Sequence, residues 1–218
     1  MFTCLNVGDF HRLQTMARSY LKLVWPIFGE SLTKSVLLDS AKALFMVEKV
    51  TDFRNAMSII RQMYYATLRE MALPWVKYSN ENNLELSETN FNTWRSNCVQ
   101  SETYNAVYEI QKNYGTSIIL FYSGMRSNNY QVMSAANQVF SPLLHLNNNV
   151  NYAIMDVQTR YQDLTMKLKA PEQYEYLEVR RCNNKTNVPY RFEPLDERHE
   201  GKGSLKKQLE KLEAAQAV

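Results

Sequence analysis

A long apolar repeat between Thr51 and Pro74 is the feature that most constrains what this chain can fold into. Its members recur every three or four residues, which is the spacing of one face of an α-helix. They are Phe53, Ala56, Met57, Ile60, Met63, Tyr64, Leu68 and Met71. Thr51 or Asp52 can cap the start of this helix, and Pro74 is expected to end or kink it. The repeat predicts a helix that packs against other helices along one side.

Helical spacing recurs along most of the chain, interrupted by short polar segments. It predicts further helices at about 10–24, 31–50, 91–94, 104–125, 129–144, 152–168 and 204–215. The first of these is expected to stop at Pro26. Residues 117–122, SIILFY, are almost wholly apolar. We therefore expect Ile118, Leu120 and Phe121 to be nearly fully buried.

Strand-like segments are found only near the two ends of the chain. Residues 2–7, FTCLNV, suggest a short buried strand, and residues 177–181 and 188–192 suggest a hairpin around an Asn-rich turn. The predicted fold class is therefore mainly α with α+β character at the edges. In it, a helical bundle is inserted between an N-terminal strand and a C-terminal β-hairpin followed by a helix. Residues 1–200 would form one domain and 201–218 a polar helical tail.

Composition and cysteine usage restrict the setting of the protein. The 218 residues carry a net charge of +3, which is too small to predict nucleic-acid binding by itself. Three widely spaced cysteines favour a reducing intracellular location, in the nucleus or the cytoplasm, over a disulfide framework or a zinc site. No stretch has the length and apolarity of a membrane span, so we predict no membrane partner.

Three acids are candidate metal ligands and catalytic residues: Asp9, Asp196 and Glu200. Positions four apart share one face of a helix, so Asp196 and Glu200 can point the same way, while Asp9 follows the predicted first strand. Converging carboxylates are what Mg²⁺ or Mn²⁺ requires in phosphoryl transfer. The alternative is that Asp9 caps a helix and that Asp196 and Glu200 lie in a solvated turn.

A basic cluster on the predicted hairpin is the candidate nucleic-acid contact. It consists of Arg180, Arg181, Lys185 and Arg191, which could bind the phosphates of DNA. The alternative is an ordinary solvated hairpin, because exposed basic residues are common on protein surfaces.

Several motifs, read in order, resemble a family of uncharacterised, transposon-derived proteins of invertebrates. They include VGDFHRL at 7–13, the segment at 119–152 that contains MRSNNY, APEQYEYLEVRR at 170–181 and PLDERHE at 194–200. The resemblance carries a Gly-x-Phe-His stretch and an Asp-x-x-x-Glu pair, and it spans about residues 5–205. It implies an RNase H-like transposase in which a helical insertion separates a strand-borne acid from a helix-borne acid. Relatives often carry glycine at the position of Asp9.

Two functions follow as hypotheses. In the first, the chain is a fragment of a mobile-element-derived, RNase H-like (DDE-type) protein that acts on DNA and is inactive alone. It would then lack the N-terminal part of its catalytic domain, or would depend on another protein. In the second, the chain is a non-enzymatic helical module that binds proteins.

Overall fold

The computed structural model describes residues 8–37, 40–97, 101–172, 174–175, 182–183 and 193–194. The α-helices in these ranges are α1 (Asp9–Val24), α2 (Glu30–Leu37), α3 (Ala41–Glu48), α4 (Phe53–Glu81), α5 (Glu88–Asn97), α6 (Glu102–Ile110), α7 (Thr116–Ser127), α8 (Tyr130–Leu146) and α9 (Val150–Lys169). Two π-helical turns, Trp25–Gly29 and Gln111–Gly115, join α1 to α2 and α6 to α7. The described ranges therefore contain seven continuous helices.

The fold class is all-α, and the predicted class with β structure at both ends is wrong. The described residues contain one antiparallel pairing, between β1 (Cys182–Asn183) and β2 (Glu193–Pro194). Cys182 and Asn183 belong to the segment predicted as the turn. Two paired residues a side cannot bury an apolar face, so in the described residues helices build the core. The predicted strands at 2–7, 177–181 and 188–192 and the predicted helix at 204–215 lie outside the described residues.

The chain divides into two compact units. The first combines the residues up to Met16 with those from Leu120 onward, and the second spans Ala17–Ile119. The boundary between them falls inside α1 and inside α7. The predicted boundary between residues 200 and 201 lies outside the described residues.

In the second unit, α4 presents the apolar face that its sequence predicts. Asp52 caps this helix, because its side chain accepts a hydrogen bond of 3.2 Å from the backbone N–H of Asn55. Seven of the eight members of the predicted repeat are buried, and Leu68 is half-buried. The buried members are Phe53, Ala56, Met57, Ile60, Met63, Tyr64 and Met71.

Proline does not end the helices where its position predicts. Pro74 lies inside α4, which continues to Glu81, and Pro26 lies inside the first π-turn. A proline costs its helix one hydrogen bond, and burial of the rest of the helix can outweigh that loss. The predicted stop at Pro26 is therefore wrong, and of the two outcomes predicted for Pro74 the end of the helix is not seen.

The second π-turn holds a buried polar pair of the second unit. The Tyr20 hydroxyl donates a 2.9 Å hydrogen bond to Oε1 of Gln111, and both side chains are fully buried. Gly115 ends the turn, and a Cβ added there would lie 2.4 Å from Gln111 Oε1 and 2.9 Å from Tyr64 Cδ2. Only glycine leaves room for the glutamine and the tyrosine ring at this point.

In the first unit, asparagines shape the corners between α7, α8 and α9. Asn128 and Asn148 adopt left-handed backbone angles, with φ of 53° and 59°, just beyond α7 and α8. Asn129 then caps α8 by accepting a 3.1 Å hydrogen bond from the N–H of Val132. The segment MRSNNY, residues 125–130, thus forms the corner between α7 and α8. The core of this unit comprises Phe10, Leu13, Met16, Phe121, Met125, Met133, Phe140, Leu143, Leu144, Ala153 and Met166.

The apolar run on α7 is buried on only one side. Phe121 is 1% exposed, whereas Leu120, its neighbour, is 44% exposed, contrary to the prediction of burial. We expect Phe121→Ala to lower the free energy of unfolding by about 3–5 kcal/mol, and Leu120→Ala by less than about 1 kcal/mol. Urea denaturation of both variants measures the difference. Similar losses for the two substitutions would contradict this assignment of the buried face.

Burial of Tyr20 predicts a dependence of stability on pH. Burial raises the pKa of its phenol above the ordinary value of about 10, so the folded chain keeps the phenol neutral where the unfolded chain ionises it. The contribution of Tyr20 to stability is therefore complete below about pH 10 and is lost as pH rises beyond it. We expect the free energy of unfolding to fall by up to about 1.4 kcal/mol more per pH unit in the wild type than in Tyr20→Phe. Urea denaturation between pH 9 and 11.5 checks this, and equal slopes would contradict it.

Candidate functional site

Of the acids predicted to bind metal, the structure describes Asp9 alone. Asp9 is the first residue of α1 and is 8% exposed. Asp196 and Glu200, and the basic cluster Arg180, Arg181, Lys185 and Arg191, lie outside the described residues. The structure therefore describes only one of the predicted site residues, and the metal site and the nucleic-acid contact stay predictions.

Asp9 lines a small polar cavity in the first unit. Helices α1, α8 and α9 supply the other polar side chains of its wall, which include Arg12, Asn137, Asp156, Arg160 and Asp163. The cavity measures about 10 Å³, which is close to the space of one water molecule. It is therefore far too small to admit a nucleotide or another small-molecule substrate.

The centre of this polar cluster is Asp156, on the inward face of α9. Its side chain is almost completely buried. Asn137 of α8 donates a hydrogen bond to Oδ1 of Asp156, and Arg160 donates one to Oδ2. Arg12 of α1 lies with Nη1 4.0 Å from the same Oδ1. One carboxylate thus links α9 to both α1 and α8.

Two further hydrogen bonds connect α9 to α1 and α8 around Asp156. Nη2 of Arg12 donates a 3.3 Å hydrogen bond to the hydroxyl of Thr159, one helical turn beyond Asp156. The hydroxyl of Tyr130 in turn donates to Oδ2 of Asp163. A buried charge is tolerated only when it is paired and hydrogen-bonded, and Asp156 satisfies both conditions.

The chemistry of the cluster is that of an internal ion-pair network. Three carboxylates, Asp9, Asp156 and Asp163, share the cavity with two guanidinium groups, which offset most of their charge. In the part of the chain that the structure describes, no group of three or more His, Cys, Asp or Glu side chains is arranged to hold a metal ion. The cluster therefore joins α1, α8 and α9 through hydrogen bonds and ion pairs.

The opposite face of α9 has the second unusual feature, which we call the α9 stripe. It consists of Val150, Ile154, Val157, Tyr161, Leu164 and Leu168, whose exposed fractions range from 48% to 76%. Successive members are four, three, four, three and four residues apart. This is the heptad spacing of a coiled-coil seam, with d positions at 150, 157 and 164 and a positions at 154, 161 and 168.

The amphipathicity of α9 is thus reversed relative to an ordinary surface helix. Its buried residues are Ala153, Asp156, Thr159 and Met166, of which two are polar, while the six residues of the α9 stripe are apolar or aromatic and exposed. Hydrophobic burial alone would turn the α9 stripe inward. Contiguous exposed apolar surfaces are common at interaction sites of proteins.

Sequence analysis missed both features for identifiable reasons. Arg12 and Asp156 are 144 positions apart, and no local pattern indicates that they meet. The heptad spacing of the α9 stripe was a visible signal, but α9 also has apolar residues such as Met155 and Met166 on other faces. Spacing alone could not decide which face is buried.

Comparisons with protein-family models, curated proteins and solved structures found no match to this chain. The resemblance to a transposon-derived family therefore stays a prediction. None of the helices in the described part of the chain is both long and apolar enough to cross a membrane.

The polar cluster predicts a large cost for removing its central carboxylate. Asp156→Ala would remove a buried carboxylate that Asn137 and Arg160 hydrogen-bond and that lies 4.0 Å from Arg12, so we expect a loss of about 3–5 kcal/mol in the free energy of unfolding. As a control, Glu30→Ala removes one partner of an exposed ion pair, in which Lys34 Nζ lies 2.8 Å from Glu30 Oε1. That change should cost less than about 1 kcal/mol. Chemical denaturation compares them, and similar small losses would show that the buried cluster does not hold the helices.

Proposed function

We propose that this chain is a non-enzymatic helical module that binds a partner helix along the α9 stripe. The observation that supports this is the exposure of six apolar side chains at heptad spacing on a helix whose buried face includes the polar residues Asp156 and Thr159. The partner would be an amphipathic helix with its own apolar repeat at intervals of four and three.

The dimensions of the α9 stripe suit such a partner. Residues 150 to 168 span ~27 Å along a helix, or about five turns. The core of the first unit already holds α9 in helical form, so binding would not have to supply the free energy of folding that short isolated helices lack. The three cysteines have no spacing typical of a disulfide framework, which favours an intracellular location. Such a location is compatible with binding a partner helix.

A metal-dependent reaction on DNA remains the other hypothesis. Two of its three acids, Asp196 and Glu200, lie outside the described residues, and the third, Asp9, lies beside a cavity the size of one water molecule. We favour helix binding because the six apolar residues of the α9 stripe are exposed at heptad spacing.

A synthetic probe helix tests the proposed function directly. The probe has three heptads with isoleucine at a, leucine at d and glutamate at e and g, so its copies repel one another and complement the cations Arg160 and Lys167 beside the α9 stripe. We expect fluorescence anisotropy to show that the labelled probe binds the wild-type chain. Leu164→Asp should weaken that binding at least about tenfold, because the new carboxylate would be buried in an apolar seam.

A matched control separates the α9 stripe from general surface apolarity. Leu73 on α4 is 47% exposed, comparable with Leu164 at 59%, and lies in the other unit. Leu73→Asp should leave probe binding unchanged, and circular dichroism should show that both variants are folded. Equal binding by wild type and Leu164→Asp, or no binding by a folded monomeric wild type, would contradict the proposal.

A further inference from the structure

We infer that the helix bound by the α9 stripe is α9 of a second copy of this chain, and that the two helices run parallel in a symmetric dimer. This inference rests on the proposed function, since it names the partner of the same surface. The spacing, the extent and the flanking charges of the α9 stripe support it.

The pattern of the α9 stripe matches itself along its whole length. In a parallel pair, each a residue meets its own equivalent and each d residue does the same, which forms six apolar layers from six residues a side. Such an interface is isologous and closes after two subunits, so it makes a dimer and not a filament. All six residues that meet in the seam are uncharged.

The flanking residues decide the orientation. One flank, at e, has Asn151, Gln158 and Thr165, which are uncharged, and the other flank, at g, includes the cations Arg160 and Lys167. A parallel pair sets each g flank against the e flank of the copy, so cations face neutral side chains. An antiparallel pair sets g against g and brings the two Arg160 side chains together, which like-charge repulsion disfavours.

The length of the α9 stripe favours a second copy of the chain, over a segment of the same chain, as the partner that covers it. The C-terminal segment has Leu205, Leu209 and Leu212 at a similar spacing, but as a helix these span only ~10 Å. They could cover little more than a third of the ~27 Å length of the α9 stripe. A second copy covers all of it, and at full burial the pair would remove on the order of 1,300 Å² from solvent, within the range of specific interfaces.

Self-association of the full-length chain provides the first test. Sedimentation or light scattering should show a dimer that dissociates on dilution, with a dissociation constant raised at least about 100-fold by Leu164→Asp and unchanged by Leu73→Asp. A dimer that persists equally in Leu164→Asp would form through another surface and would overturn the inference.

Cross-linking tests the orientation in a chain whose Cys4, Cys98 and Cys182 are replaced by serine. In the parallel pair, Val157→Cys meets its equivalent and should form a disulfide-linked dimer on oxidation. In an antiparallel pair, residue 157 would lie opposite residue 161, so a mixture of Val157→Cys and Tyr161→Cys chains would cross-link and neither alone would. The mixed product would overturn the parallel arrangement.

The remaining outcomes separate this inference from the proposed function. A monomeric chain that binds the glutamate-flanked probe at the α9 stripe would overturn the second-copy inference and leave helix binding in place. A folded monomer that does not bind the probe would contradict both. If Leu209→Asp converts a monomer into a dimer, the C-terminal segment occupies the α9 stripe in the wild type, and the second-copy inference fails.

Discussion

The arrangement of the first unit depends on the contacts that the carboxylate of Asp156 makes with Arg12 and Asn137. This carboxylate lies almost completely buried on the inward face of α9, within reach of Arg12 from α1 and hydrogen-bonded by Asn137 from α8. A buried ion pair contributes little net stability compared with apolar residues of similar size, but leaving either partner alone is costly. Any rotation of α9 that turned Asp156 away would therefore separate it from Arg12 and Asn137. The polar cluster selects one rotation of the helix, and that rotation turns the α9 stripe outward.

Two features that look unrelated along the chain are thus parts of one arrangement. The inward face of α9 has polar residues that contact Arg12 and Asn137 of other helices, and the outward face has the apolar residues of the α9 stripe. Hydrophobic burial favours the opposite rotation, so the polar contacts must outweigh it in the isolated chain. A partner helix would remove the conflict, because covering the α9 stripe buries its apolar residues while the polar cluster stays intact.

Much of this fold follows from the sequence, and the exceptions have physical causes. The spacing of Phe53 to Met71 correctly predicts α4 and its buried face, because a local 3.6-residue period needs no knowledge of the partner. The same reasoning fails at Leu120, since every residue around it is apolar and the run has no polar face to set its rotation. It fails at Pro26, the predicted end of the first helix, because the local cost of proline is smaller than the gain from packing the rest of the helix. Short β-prone runs at the ends of the chain predicted a fold class that the described residues do not have.

The candidate site could be predicted from local sequence patterns even less well than the fold. Asp9 stands out in the sequence because it follows an apolar segment, yet its surroundings depend on Arg12, Asp156 and Arg160, and contacts between α1 and α9 leave no local trace. Arg160 contributes both to the polar cluster around Asp156 and to the flank of the α9 stripe. It donates a hydrogen bond to Asp156, and its side chain, 38% exposed, stands on the g flank of the α9 stripe. Its charge is thus partly offset from within the fold, which lowers the cost of placing it beside the neutral flank of a second helix. The residue that helps to hold α9 in its rotation therefore also shapes the surface that the rotation exposes.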